Sequence, residues 1–178
     1  MYRELQAEIK DVDLILDFKL DIIFNSKEIA SMERCDLEKI VNYCEEEIRE
    51  NIDKYKLWYD DENIVAAFSV DDYSDEKMID FIYVTYENRR NGIGKKILNN
   101  IINKNYQVLY AWVDKENEAA ICMFKNNNFV IDEETDFKYL MKNLNEKEEN
   151  KSIKQRMFED EVAKLAKKYG IRYNLRIE

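Results

Sequence analysis

The chain has 178 residues, 46% hydrophobic and 37% charged, with a net charge of −10, three cysteines and no histidine. That balance describes a folded domain with its own core rather than a disordered chain. The missing histidine excludes every Ser-His or Cys-His pair and leaves a carboxylate, tyrosine, lysine or relayed water as general base.

Cys35, Cys44 and Cys122 have no CxxC spacing, so neither a disulfide framework nor a bound metal is expected. The overall acidity argues against nucleic acid and favours a cationic small molecule as partner. No apolar run reaches the ~18 residues that suggest a membrane span. The acidic start, with Glu4, Glu8 and Asp11, is unlike a signal peptide, so a cytoplasmic protein without membrane partners is expected.

In chain order, residues 2–7 read as a short strand, and Asp11 is placed to cap a helix with Val12, Ile15, Leu16 and Ile23 along it. A second helix carries Leu37, Ile40, Val41, Cys44 and Ile48 on one face, with Asp36 as its cap and Glu38, Glu45 and Glu46 outside. Residues 56–59 and 64–70 form a predicted hairpin about the turn 60–63. A second acidic turn, 71–76, leads into an apolar and aromatic strand over 79–86.

That strand runs into Arg89-Arg90-Asn91-Gly92-Ile93-Gly94, and Ile93, Ile97, Leu98, Ile101 and Ile102 then repeat at helical spacing. Two of the chain's three glycines fall in this turn, which implies a positive φ or a close approach there. A strand, a glycine turn and a helix start aim backbone N–H groups and the positive helix end at one point, a geometry that binds phosphate. Arg89, Arg90, Lys95 and Lys96 add positive charge to it. A dinucleotide fingerprint would need glycine where Ile97 stands, and the longer glycine spacing of a Walker loop is absent.

Arg89, Gly92 and Gly94 match the signature Arg/Gln-x-x-Gly-x-Gly/Ala, and the stretch resembles the acyl-CoA site of the GCN5-related N-acetyltransferase (GNAT) family. The resemblance implies an α/β fold with a mixed, mainly antiparallel sheet flanked by helices. It implies acetyl-CoA as co-substrate, held at Arg89, Arg90, Asn91, Gly92, Ile93, Gly94 and Lys95, with the strand end Ile82, Tyr83 and Val84 pairing with the pantetheine arm. The link 25–34 would border the acceptor.

Beyond this helix, 107–113 is predicted as a strand parallel to 79–86, and residues 117–129 hold a short helix capped by Asn117, with Ala120, Met123 and Phe124 on one side. This stretch is similar to the family's second motif, Asn-x-x-Ala-x-x-Leu-Tyr-x-x-x-Gly-Phe. Asn128 replaces its glycine, and Phe124 stands where many members carry the tyrosine that protonates the departing thiolate. Asn117 and Phe124 complete the expected cofactor contacts.

For acetyl transfer to an amine, Asp80 is the candidate base, because residues 78, 80, 82 and 84 share one face of a regular strand and some family members carry a catalytic glutamate on that face. A backbone N–H near Val84 would polarise the acetyl carbonyl, and Tyr83 and Tyr86 are further relay candidates. The closing hairpin, with strands 129–131 and 137–144, presents Glu133, Glu134 and Asp136 as possible acceptor contacts.

Residues 1–144 thus make the catalytic domain. Residues 145–178 make an extension in which Ile153, Met157, Val162, Leu165 and Tyr169 suggest a helix, and Ile171, Tyr173, Leu175 and Ile177 alternate as a strand. So small a unit must dock on its own domain or pair two chains, and a homodimer is expected. The expected activity is acetyl transfer to a primary amine of a small cationic acceptor. A non-catalytic acyl-CoA-binding module and a protein N-acetyltransferase are the alternatives.

Overall fold

The computed structural model of the chain describes residues 2–25, 34–73, 76–104 and 108–143. The predicted acceptor-bordering link, the C-terminal helix and the C-terminal strand lie outside the described residues. Four strands succeed one another as antiparallel neighbours: β1 (Tyr2–Gln6), β2 (Tyr55–Asp60), β3 (Asn63–Tyr73) and β4 (Glu76–Val84). β5 (Val108–Asp114) lies parallel to β4, and β6 (Phe129–Glu134) and β7 (Lys138–Asn143) close the sheet antiparallel. Among the described residues the sheet has seven strands, in the order β1-β2-β3-β4-β5-β7-β6.

Helices cover both faces, so the strands are apolar on both sides. On one face α1 (Val12–Phe24) and α2 (Arg34–Glu50) bury Val12, Ile15 and Ile48 against Tyr55, Leu57, Ala67 and Phe81. On the other, α3 (Ile93–Ile102) and α4 (Glu118–Lys125) bury Ile93, Ile97, Leu98, Ile101 and Phe124 against Val65, Phe68, Ile79, Leu109 and Val113. The isoleucine repeat read from sequence is thus the inner face of α3. As the crossover rule requires, a helix between parallel neighbours carries the chain from β4 to β5.

Several boundaries differ from expectation, each for a local reason. The Asp11 carboxylate does not cap α1; it accepts from the Glu8 N–H at 2.8 Å and closes a 3₁₀ turn, Ile9–Asp11, one turn earlier. Asp36 does not precede α2, which begins at Arg34 and holds Asp36 in its first turn. Asp71 and Asp72 are strand residues rather than turn residues, because the β3–β4 ladder continues through them, opposite Met78 and Lys77; Lys54 Nζ lies 2.8 Å from Asp71, and Lys77 pairs with Asp72. Glu133 and Glu134 likewise belong to β6, and Glu134 is held by Lys115 at 3.0 Å. Asn117 caps α4 as expected, accepting from the Ala120 N–H at 3.0 Å, a bond worth about 1 kcal/mol. Asn128, in the place of the motif's glycine, takes the left-handed conformation that asparagine tolerates, at φ 64°.

Candidate active site

β4 and β5 pair only from Glu76 opposite Val108 to Ile79 opposite Ala111. Beyond that point β4 stays on β3 and β5 stays on β7. A wedge therefore opens in the middle of the sheet, with peptide groups on both banks that no neighbouring strand engages. Ile82, Tyr83 and Val84 lie on one bank. The Val84 carbonyl already accepts from Arg89 Nε at 3.0 Å.

The glycine turn lies past the open end of β4. Gly92 sits at φ 75° and is the N-cap of α3. It is followed by the right-handed helix, so left- and right-handed backbone alternate and successive N–H groups turn the same way. The first-turn N–H groups of Ile93, Gly94 and Lys95 have no acceptor within the helix. Gly94 serves a different need. A Cβ there would meet Met123 Sδ at 3.1 Å, so the glycine lets α3 close on α4. Arg90, at φ 64°, is the second left-handed residue of the turn, a place that sequence reading gave to glycine alone.

Asn91, Arg90 and Lys95 are exposed around this turn. Arg89 is not aimed at it. Its guanidinium bonds the Asp21 carboxylate of α1 at 3.1 Å and lies over the rings of Tyr83 and Tyr86, 5.3 and 5.6 Å from their centroids. Tyr83 donates to the same carboxylate at 2.9 Å and stacks on Phe18. Burial raises the Tyr83 phenol above its ordinary range, and Asp21 adds to that while Arg89 opposes it. Tyr86 is 77% exposed. Phe124 is a core residue, packed edge-on against Phe129 with centroids 4.9 Å apart.

The face predicted for Asp80 is corrected by the strand itself. Phe81 pairs with Ser69 and Ile79 with Val70, so Asp80 is the extra residue of a β-bulge. Parity changes there: Ile82 and Val84 pack on the α3 side, while Phe81 and Tyr83 face α1 and α2. Asp80 faces α1 and α2 as well. It sits at the apex of the wedge, next to Ile79, the last β4 residue paired with β5.

There it joins a cluster that sequence reading missed. Lys19 Nζ of α1 is 2.7 Å from Glu47 of α2, 3.0 Å from the Tyr55 hydroxyl of β2 and 3.4 Å from Asp80. Tyr55 donates to Glu47 at 3.0 Å, and Ser69 lies 3.4 Å from Asp80. One signal was present: Lys19 stands one helical turn beyond Ile15, a charge on an otherwise apolar stripe.

Burial is the largest single influence on Lys19 and works to lower its pKa. Asp80, Tyr55 and the bond to Glu47 together outweigh it and hold the ammonium above the ordinary lysine range. Burial also pushes the Tyr55 phenol up, opposed by Lys19. Both groups therefore keep their protons more tightly in the folded chain, so the stability they contribute is complete below the ordinary pKa values and is lost as pH rises through the folded ones. Urea unfolding is expected to give level stability from about pH 7 to 9.5 and a fall above about pH 10, with a shallower fall for Tyr55→Phe. An unchanged slope in that variant would remove Tyr55 as a source of the fall.

Among the described residues no group of three or more His, Cys, Asp and Glu is arranged to hold a metal ion. Nor is any described helix long and apolar enough to cross a membrane. What the geometry does fit is an elongated ligand carrying phosphate at one end, for the α3 amides, and amide groups along its length, for the banks of the wedge.

Comparison with known proteins agrees. The sequence profile of the Acetyltransferase (GNAT) family matches residues 22–129, more than half of the chain. A PaiA N-acetyltransferase from Thermoplasma acidophilum, solved in complex with coenzyme A, superposes with a TM-score of 0.66 at 12% identity, over 80% of this chain and 98% of that one. The ribosomal-protein-S18-alanine N-acetyltransferase from Escherichia coli gives 0.61 at 15% identity, over 85% and 99%. The yncA protein from Salmonella typhimurium, solved with its cofactor acetyl-CoA, gives 0.61 at 13%, over 86% and 99%. At such identities these likenesses establish the fold. The curated proteins give no match.

The wedge, the glycine turn and the profile match together define an acyl-CoA-dependent transferase. The chain belongs to the GNAT family of acetyltransferases, whose co-substrate is acetyl-CoA.

Proposed function

We propose that this acetyltransferase acts on a primary amine of a small cationic acceptor, with Asp80 as general base. The observation that carries the reading is the charge balance at the apex of the wedge. Two carboxylates, Glu47 and Asp80, share one ammonium, Lys19, within 3.4 Å. The cluster therefore keeps one surplus negative charge. Glu47 is the closer partner and the more buried, at 25% exposure against 39% for Asp80, so the surplus faces the solvent at Asp80.

The co-substrate supplies an activated acetyl group through its thioester. In our reading the N–H groups of Gly92, Ile93, Gly94 and Lys95 at the start of α3 hold its phosphates, aided by Arg90, Asn91 and Lys95. The backbone of Ile82, Tyr83 and Val84 aligns its arm, and an N–H near Val84 polarises the acetyl carbonyl. Arg89 and Asn117 contribute by fixing the ends of the turn and of α4, and Phe124 by packing beneath the site.

The acceptor comes from the opposite, α1–α2 face, where Asp80 attracts its ammonium and removes the proton that must leave before the nitrogen can attack. The phenyl ring of Phe124 has no proton to give, so the departing thiolate takes its proton from water. Cytoplasmic placement and pairing of two chains through residues 145–178 complete the proposal, supported by the acidic composition and the alternation of Ile171, Tyr173, Leu175 and Ile177.

The deciding experiment is thiol release from acetyl-CoA with a panel of amines. Turnover on di- and polyamines that weakens with added salt is expected. Tight acetyl-CoA binding with no release on any amine would replace this reading by that of a non-catalytic acyl-CoA-binding module, and turnover confined to peptide N-termini by that of a protein acetyltransferase.

A further inference from the structure

We infer that Lys19 is a positioning residue for this reaction: clamped by Glu47 and Tyr55, it fixes the Asp80 carboxylate at the bulge toward the face from which the acceptor arrives. The inference rests on the proposed role of Asp80 but has its own consequences. A bulge residue has no cross-strand partner, so nothing in the β3–β4 ladder sets where its side chain points. Only Lys19 Nζ and Ser69 Oγ approach the Asp80 carboxylate among the contacts described, both at 3.4 Å.

Lys19 is itself held firmly. Its side chain is 17% exposed, its ammonium lies 2.7 Å from Glu47 and 3.0 Å from Tyr55, and it stands 5.6 Å from the centroid of the Tyr55 ring. Glu47 and Tyr55 bond each other at 3.0 Å, so a closed three-membered ring of hydrogen bonds spans α1, α2 and β2. Asp80 hangs from that ring. The groups facing Asp80 from the packed elements are Lys19 of α1, Cys44 and Glu47 of α2, Tyr55 of β2 and Ser69 of β3. Of these Lys19 is the only cation, and it keeps its proton throughout the working range.

A lysine that never releases its proton cannot be the base or the acid. Its contribution is a fixed charge and a fixed direction.

The test uses the full chain in two measurements. Urea unfolding of the wild type, Lys19→Met, Asp80→Ala and the double variant, without ligand, closes a double-mutant cycle. Coupling of about fivefold or more in the unfolding constant is expected; a cycle that closes to zero overturns the inference. Thiol release with acetyl-CoA and 1,4-diaminobutane is then followed against pH. Lys19→Met is expected to lower kcat/KM for the amine by about tenfold or more, leave the acetyl-CoA Kd within about twofold, and be rescued by Lys19→Arg. It is also expected to add nothing when Asp80 is already Asn. Equal losses from Lys19→Met with and without Asp80→Asn would overturn the positioning role. Coupling in the unfolding cycle together with full activity of Asp80→Asn would instead reject Asp80 as base and leave the Lys19–Asp80 tether standing.

Discussion

Asp80→Asn is expected to lower kcat/KM for the amine by about 10²- to 10⁴-fold, the usual worth of a well-placed base. The change keeps the side-chain volume and removes both the charge and the capacity to take a proton. The acetyl-CoA Kd should stay within about twofold of wild type, because Asp80 faces α1 and α2 while the glycine turn that receives phosphate opens α3. The loss should shrink as pH rises and more of the amine is already neutral. A variant that retains activity within about threefold at pH 7 would end the claim that Asp80 is the base. Thiol-release kinetics across pH 6 to 9.5 give the answer in one series.

The second large effect concerns the other end of the site. Gly92→Asp should weaken acetyl-CoA by about 10²-fold or more in a calorimetric titration. An aspartate carboxylate about 5 Å from a phosphate costs roughly 3 kcal/mol at an effective dielectric near 20. Backbone strain adds to this, because Gly92 sits at φ 75°. Gly92→Asn separates the two causes. Asparagine accepts the left-handed conformation about as well as aspartate and carries no charge, so it should keep most of the affinity that the aspartate loses. Equal losses in both variants would show that the backbone, and not the charge, sets the effect; no loss in either would remove the α3 N-terminus as the phosphate site.

Much of the architecture was legible because its signals are local. The isoleucine spacing of α3 and the Asn117 cap follow from residues within one or two turns of each other, and the parallel placement of β5 follows from the helix that separates it from β4. What escaped the sequence was long-range. Alternation placed Asp80 on the face of Ile82 and Val84, and a single unpaired residue reversed it; a bulge depends on the partner strand, here at Ser69 and Val70. Arg89 read as a phosphate contact by its position beside the glycines. In the fold it turns away to Asp21, nearly seventy residues earlier, which no spacing rule reveals. The Lys19–Glu47–Tyr55–Asp80 cluster joins four elements whose separate patterns each looked ordinary.

Sheets ordinarily carry their unengaged peptide edges at the rim, and between β4 and β5 two such edges lie in the middle of the sheet. A bound arm with amides of its own would pair with both edges and so link β4 to β5. Cohesion and occupancy then become one quantity: each tenfold rise of co-substrate above its Kd adds about 1.4 kcal/mol to the folded state. The co-substrate would then act as a further strand that holds the two halves of the sheet together.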